Sequence, residues 1–149
     1  MKLIIASDHA GLELRRDLVA LLTEKGIAFE DVGPTTTESV DYPDFARHVA
    51  KSISEGRHTL GVLVCGTGIG MSIVANKYRG VRAALCSTEF EARMARAHND
   101  ANVLCVGQRV VGVGVARSIL ETFLATPFEG GRHQKRIDKI REAESESGR

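Results

Sequence analysis

The sequence predicts an α/β fold in which a parallel sheet is covered on both faces by helices. Three observations predict it. Strand-like and helix-like segments alternate from the start of the chain. The strand segments are continuous apolar runs, as expected of strands buried on both faces. Glycines and polar side chains gather just past the ends of those runs, where open parallel sheets leave room for ligands.

Lys2 to Ser7 is the first apolar run, and Leu14, Leu18, Leu21 and Leu22 then share one helical face. Gly26 closes that helix, and Ile27 to Val32 reads as the second strand. Asp41 can cap a second helix with Pro43 in its first turn, where a missing N–H costs nothing. Phe45, Ala46, Val49, Ala50 and Ile53 form its apolar stripe. Leu60 to Cys65 is the third strand, running into Gly66-Thr67-Gly68-Ile69-Gly70 and a helix to about Lys77. Val81 to Cys86 is the fourth strand, followed by a helix holding Phe90, Met94 and Ala97. Asn102 to Val106 is the fifth, followed by a helix with Ala116, Ile119, Leu120, Phe123 and Leu124 on one face. Pro127-Phe128-Glu129-Gly130-Gly131 ends the alternation. Residues 131–143 then read as a basic C-terminal helix protruding from the repeating unit, and 144–149 as a frayed polar tail. Such a helix readily docks on another subunit, which points to a homodimer.

The chain has 149 residues, 43% hydrophobic and 26% charged, which suits one domain over 1–149 with a real core. A net charge of +1 and 5% aromatics argue against a nucleic-acid partner. No apolar run nears the roughly 20 residues of a membrane span, and the N-terminal apolar run is too short for a signal peptide. Cys65, Cys86 and Cys105 are an odd, widely spaced set, which fits free thiols in a reducing compartment. The reading is therefore a cytoplasmic protein with no membrane partner.

Function should sit beyond the carboxyl ends of the strands, at Asp8 and His9, Cys65 to Gly70, Cys86-Ser87 and Gly107-Gln108-Arg109. Three glycines within Gly66 to Gly70 let backbone N–H groups crowd at a helix start, where an anion is favoured. Met71 excludes a dinucleotide fingerprint, and no Gly-Lys-Ser/Thr makes a P-loop. The alternative is that the glycines only permit a tight turn. Cys65, beside that turn, is a usable base or nucleophile, or else a small buried hydrophobe. Cys105, inside a strand, and Cys86 read as structural.

Asp8-His9 and His98-Asn99-Asp100 bring titratable groups to the same edge, but without ligand spacing for a metal. A histidine acid/base near a sugar oxygen is the simpler role. His48 and His58 read as helix-surface and loop residues. Arg132 and Arg136, four apart, share a helix face with His133 beside them and suit phosphate oxygens. The alternative is a solvated basic face paired with Asp138 and Glu142; Arg109, at a strand's carboxyl end, favours phosphate. Together these parts suit proton abstraction next to a carbonyl in a phosphorylated sugar, with no redox cofactor.

Several separated motifs resemble ribose-5-phosphate isomerase type B, of the ribose/galactose isomerase family. They are Ser7-Asp8-His9-Ala10-Gly11, Asp41-Tyr42-Pro43, Cys65-Gly66-Thr67-Gly68-Ile69-Gly70, Ala75-Asn76-Lys77, His98-Asn99-Asp100-Ala101-Asn102 and Gly130-Gly131-Arg132-His133-Gln134. The similarity runs from Met1 to about Ile140. It implies a Rossmann-like three-layer α/β/α sandwich with a five-stranded parallel sheet. It also implies a homodimer or tetramer whose site is shared between subunits, and interconversion of D-ribose 5-phosphate and D-ribulose 5-phosphate without cofactor or metal. By that resemblance Cys65 moves the proton from C2 to C1, Thr67 assists between the two oxygens, and the amides of Gly66, Thr67, Gly68, Ile69 and Gly70 hold the enediolate. His98 opens the furanose with Asp8 and Tyr42 nearby, and Asn99 contacts the sugar. His9, Arg109, Arg132 and Arg136 grip the phosphate. One branch of the family has a glutamate base where Met71 stands and lacks the cysteine at 65. Here Cys65 is the only base the resemblance allows. Related galactose-6-phosphate isomerases divide these motifs between two chains, whereas this chain carries both sets. Two rivals stand beside this reading: an isomerase of a phosphorylated hexose such as allose 6-phosphate, and a non-catalytic sugar-phosphate binding module.

Overall fold

Side-chain alternation along the strands divides the interior into two cores. The computed structural model describes residues 2–148. Its central strands are β1 (Leu3–Ser7), β3 (Leu60–Cys65) and β5 (Val103–Gly107). Leu3, Ile5, Val62, Val64, Leu104 and Val106 point to one face, where they pack with helices α1 (Leu12–Glu24), α4 (Glu89–Asn99) and α5 (Val113–Ala125). Ile4, Ala6, Leu63, Cys65, Val103 and Cys105 point to the other, against α2 (Tyr42–Ser54) and α3 (Ile69–Ala75). The expected three-layer α/β/α arrangement follows from that period of two, because both strand faces are apolar.

The remaining strands, β2 (Phe29–Asp31) and β4 (Ala83–Leu85), form the edges of an all-parallel sheet in the order β2-β1-β3-β5-β4. They are shorter than the runs Ile27 to Val32 and Val81 to Cys86, because only one side of each finds a ladder partner. The chain runs outward from β1 to β2 and returns to β3 on the other side of β1. The loops after β1 and β3 therefore diverge to opposite faces, which opens a crevice at their carboxyl ends.

Several expectations are corrected. The apolar face of α4 is Ala92, Ala95 and Ala97, while Phe90 is 66% exposed. A capping box between Thr88 and Glu91 starts that helix. Asp41 occupies the N-cap of α2, but its side chain makes no capping bond. α3 stops at Ala75 instead of Lys77 because the Asn76 side chain turns to bond both the N–H and the carbonyl of Ala83. The C-terminal helix, α6 (Arg132–Glu146), lies outside the three layers with only His133 and Ile137 buried. It outlasts the expected end at 143, and the segment read as a tail is helical through Glu146. Glu144 accepts from Gly80 N at 2.8 Å, and the hydroxyls of Ser145 and Ser147 donate to the carbonyls of Arg141 and Glu144. Arg149 lies outside the described residues.

Phe123 on α5 is fully buried, and the Arg96 guanidinium carbon stands 5.5 Å from its ring centre. Phe123→Ala is expected to lower stability by about 3–5 kcal/mol through the cavity it leaves. The midpoint of urea unfolding measures it.

Candidate active site

Cys65 closes β3 at the crevice and is 5% exposed. Its sulfur accepts a hydrogen bond from the Gly68 amide at 3.0 Å. Gly68 has φ +79°, which turns its N–H back onto the sulfur, and a Cβ there would meet Leu85 Cδ1 at 2.5 Å. That donor faces the atom that carries negative charge whenever the thiol is ionised. The Ile69 amide is likewise drawn inward, to Thr67 Oγ1 at 3.3 Å. Two of the five amides expected to meet an enediolate thus bond the loop's own sulfur and hydroxyl. Gly70 carries no side chain because the Tyr42 ring lies where a Cβ would be, at 2.6 Å.

Other elements supply the rest of the cleft. Asp8, after β1, is buried and accepts from the Gly11 amide at 3.0 Å through Oδ1. His9 Nδ1 lies 3.1 Å from the Val40 nitrogen and 3.2 Å from its oxygen, so either tautomer is held and Nε2 is left for a ligand. After β5, the Arg109 amide donates to the Gly66 carbonyl at 2.9 Å, and its Nη1 would lie 3.4 Å from a Cβ on Gly66. Asp8, His9, Tyr42, Cys65, Thr67 and Arg109 face one cleft of about 530 Å³, with Gly66, Ile69 and Gly70 on its wall. Cys65 thus lines the cavity, with one loop donor, the Gly68 amide, at its sulfur. The other two thiols are unsuited to acid–base work: burial pushes Cys86 up to about 12, and Cys105, wholly enclosed, is pushed up further.

The other predicted residues lie elsewhere. His98, Asn99, Arg132 and Arg136 do not border that cleft, and Asn99 instead lines a separate groove beside β4 and α6. A tight knot fixes the end of α4 that bears His98 and Asn99. Asp100, at φ +43°, accepts from Arg82 at 3.0 Å and from Arg96 at 2.9 Å through its carboxylate. The His98 ring stacks on His133 with centroids 4.1 Å apart and planes 7° from parallel. Nε2 of His98 and of His133 lie 3.7 and 3.5 Å from one oxygen of Glu129. His133, Glu129 and His98 are the one group of three potential metal ligands among the described residues. A single ion cannot lie in the planes of two parallel stacked rings, so this arrangement suits proton chemistry better than chelation. Arg109, Arg132 and Arg136 enter no ion pair among the described residues, and Asp138 bonds Gln134 and Arg141. The basic face of α6 is thus not neutralised by its own helix.

A sequence model of the Ribose/Galactose Isomerase family matches residues 3–140. The chain belongs to this family. It is 44% identical over 139 residues to "Ribose-5-phosphate isomerase B" of Escherichia coli (strain K12), covering 93% of each chain. The solved structure of Clostridium thermocellum ribose-5-phosphate isomerase B is 47% identical, with TM-score 0.96 over 99% of both chains. That of Mycoplasma genitalium ribose-5-phosphate isomerase B with bound ribulose-5-phosphate is 45% identical, with TM-score 0.93 over 97% of both.

Within this ribose/galactose isomerase, the sequence motifs mix two kinds of residue. Asn76 and Asn102 are clamps on β4: Asn102 accepts from Arg82 N at 2.8 Å and donates to the Gly80 carbonyl at 2.8 Å. Two partners escaped the sequence reading. Val40 orients His9 through its backbone, which no side chain signals. Glu129, a lone acid between Phe128 and Gly130, gains meaning only when the turn carries it under His98 and His133.

Proposed function

We propose that this chain interconverts D-ribose 5-phosphate and D-ribulose 5-phosphate by proton transfer at Cys65. The observation that carries the reading is the Cys65 sulfur, facing a sugar-sized cleft and held by an amide donor. In the open-chain aldose, the sulfur takes the proton from C2, and the electron pair moves through C2=C1 onto O1 to give the enediolate. Thr67 passes a proton between O1 and O2, and the thiol returns its proton to C1, which leaves the carbonyl at C2. No electron acceptor is needed. Removing one oxyanion donor in a dry site costs about 3–4 kcal/mol, and the unengaged amides of the loop can act on the developing charge.

Binding falls to the cations and to the groups near the sugar. His9 and Arg109 face the cleft from one chain, while Arg132 and Arg136 reach the phosphate from a second copy, together with His98 for ring opening and Asn99 for the sugar. Asp8 and Tyr42 border the ring. Exposed apolar side chains of the cleft lining support such a shared site: Ile69 is 51% and Ile73 56% exposed on α3. A rim of this kind suits burial by another subunit, in a homodimer or a tetramer, which would also exclude water. Residues 1–149 act as one sugar-phosphate isomerase domain. The three unpaired thiols fit a cytoplasmic location, and no helix among the described residues is long and apolar enough to cross a membrane.

Ribose 5-phosphate is expected to yield ribulose 5-phosphate at full rate in EDTA, read by the absorbance of the ketose. No conversion by folded protein would defeat the assignment, and loss only in EDTA would point to a metal isomerase.

A further inference from the structure

We propose that His133 is a positioning residue for His98, its flat buried ring setting the plane of the His98 imidazole above Glu129. This rests on the reading that His98 opens the furanose. In that step a proton leaves the C1 hydroxyl and one reaches the ring oxygen; the C1–O bond to the ring breaks and C1=O forms. A single imidazole serving two oxygens of one sugar must hold its plane, because the donor and acceptor positions are fixed by the substrate.

His98 alone is poorly suited to that. It sits in the last turn of α4 and is half-exposed, so its ring would rotate freely about the outer torsion. Three features restrain it. His133 is 4% exposed and lies parallel to His98 at 4.1 Å. The Glu129 amide donates to the Ala97 carbonyl at 3.0 Å, which pins the turn between α5 and α6 to the end of α4. The His133 amide donates in turn to the Gly130 carbonyl at 3.0 Å, which fixes the platform against that turn.

The charges around the pair also give the two rings different roles. His98 from α4, Glu129 from the turn, and Arg132 and Arg136 from α6 all act on His133. Burial, His98 and Arg132 hold His133 below the usual histidine range, against an opposing pull from Glu129. Arg132 Nε lies 3.4 Å from His133 Nε2, a donor that asks for an unprotonated ring nitrogen. Two stacked imidazoles cannot both carry charge cheaply, which suits the buried His133 to a platform role beside the more exposed His98.

The test separates ring opening from proton transfer at carbon. Ribulose 5-phosphate cannot close a furanose ring because its C5 oxygen is esterified. Exchange of its C1 hydrogen with solvent deuterium therefore reports Cys65 chemistry without ring opening. His133→Ala is expected to lower kcat for ribose 5-phosphate roughly 10- to 100-fold while exchange stays near the wild-type rate. His133→Phe, which keeps a flat ring in the buried site, should recover most of the forward rate. Equal losses in both reactions, a fully active His133→Ala, or a His133→Phe as slow as the alanine variant would overturn the proposal. His98→Asn is the reference: if it shows no split between the reactions, the ring-opening reading itself fails. A split in His98→Asn without one in His133→Ala sinks the positioning role alone.

Discussion

Cys65→Ala is expected to cut kcat for ribose 5-phosphate by a factor of about 10²–10⁴ while the substrate still binds. Cys65 lines the cleft at the start of the glycine turn, and its sulfur accepts from the Gly68 amide of that turn. The substitution removes one atom and the acceptor of the Gly68 N–H, and it leaves His9, Arg109 and Asp8 in place. Calorimetry should thus give a Kd for ribose 5-phosphate within a few-fold of wild type. Cys65→Ser keeps an acceptor for Gly68 N–H but offers a far weaker acid, so it should remain nearly as slow as alanine. That pair separates loss of the base from distortion of the loop. A sugar-phosphate binding module would be indifferent to both changes, and an undiminished kcat in Cys65→Ala would return this thiol to a packing role. Cys86 and Cys105 cannot substitute, because burial keeps their thiols protonated.

The same contrast explains what the sequence made legible. β1, β3 and β5 are readable because strands buried on both faces need unbroken apolar runs, and those three lie in the middle of the sheet. Their carboxyl ends then locate Asp8, Cys65 and Arg109 without further information. The edge strands are less legible, since half-exposed residues carry a weaker pattern. Polarity misleads at the C-terminus: Ser145 and Ser147 look like solvent-facing tail, yet their hydroxyls bond the helix's own carbonyls. The separation of His98 and Arg132 from the Cys65 cleft is hidden for another reason. A linear pattern lists His98 and Arg132 beside Cys65 as if they converged, whereas within the fold the cleft borders only the earlier group. Pairing between copies is a property of surfaces, and no spacing rule within one chain encodes it.

Mixing two crippled variants should restore activity, and this is the sharpest expectation of a site shared between copies. Arg132→Ala and Arg136→Ala each remove a cation with no carboxylate partner among the described residues. A charge-assisted hydrogen bond to phosphate is worth about 1.5–3 kcal/mol, so each change should raise KM roughly 10- to 100-fold with a smaller effect on kcat. Combined, they leave a protein nearly inactive at ordinary substrate levels, as Cys65→Ala does for its own reason. If Cys65 of one subunit works with the basic helix of the other, a mixed dimer has one site carrying both defects and one carrying neither. Random exchange makes half the dimers mixed, so about a quarter of the wild-type sites should reappear. The measurement is turnover after co-refolding the two variants, set against each refolded alone. A mixture no faster than its components would place the whole site within one chain, and unchanged KM in both single arginine variants would return α6 to a solvated surface.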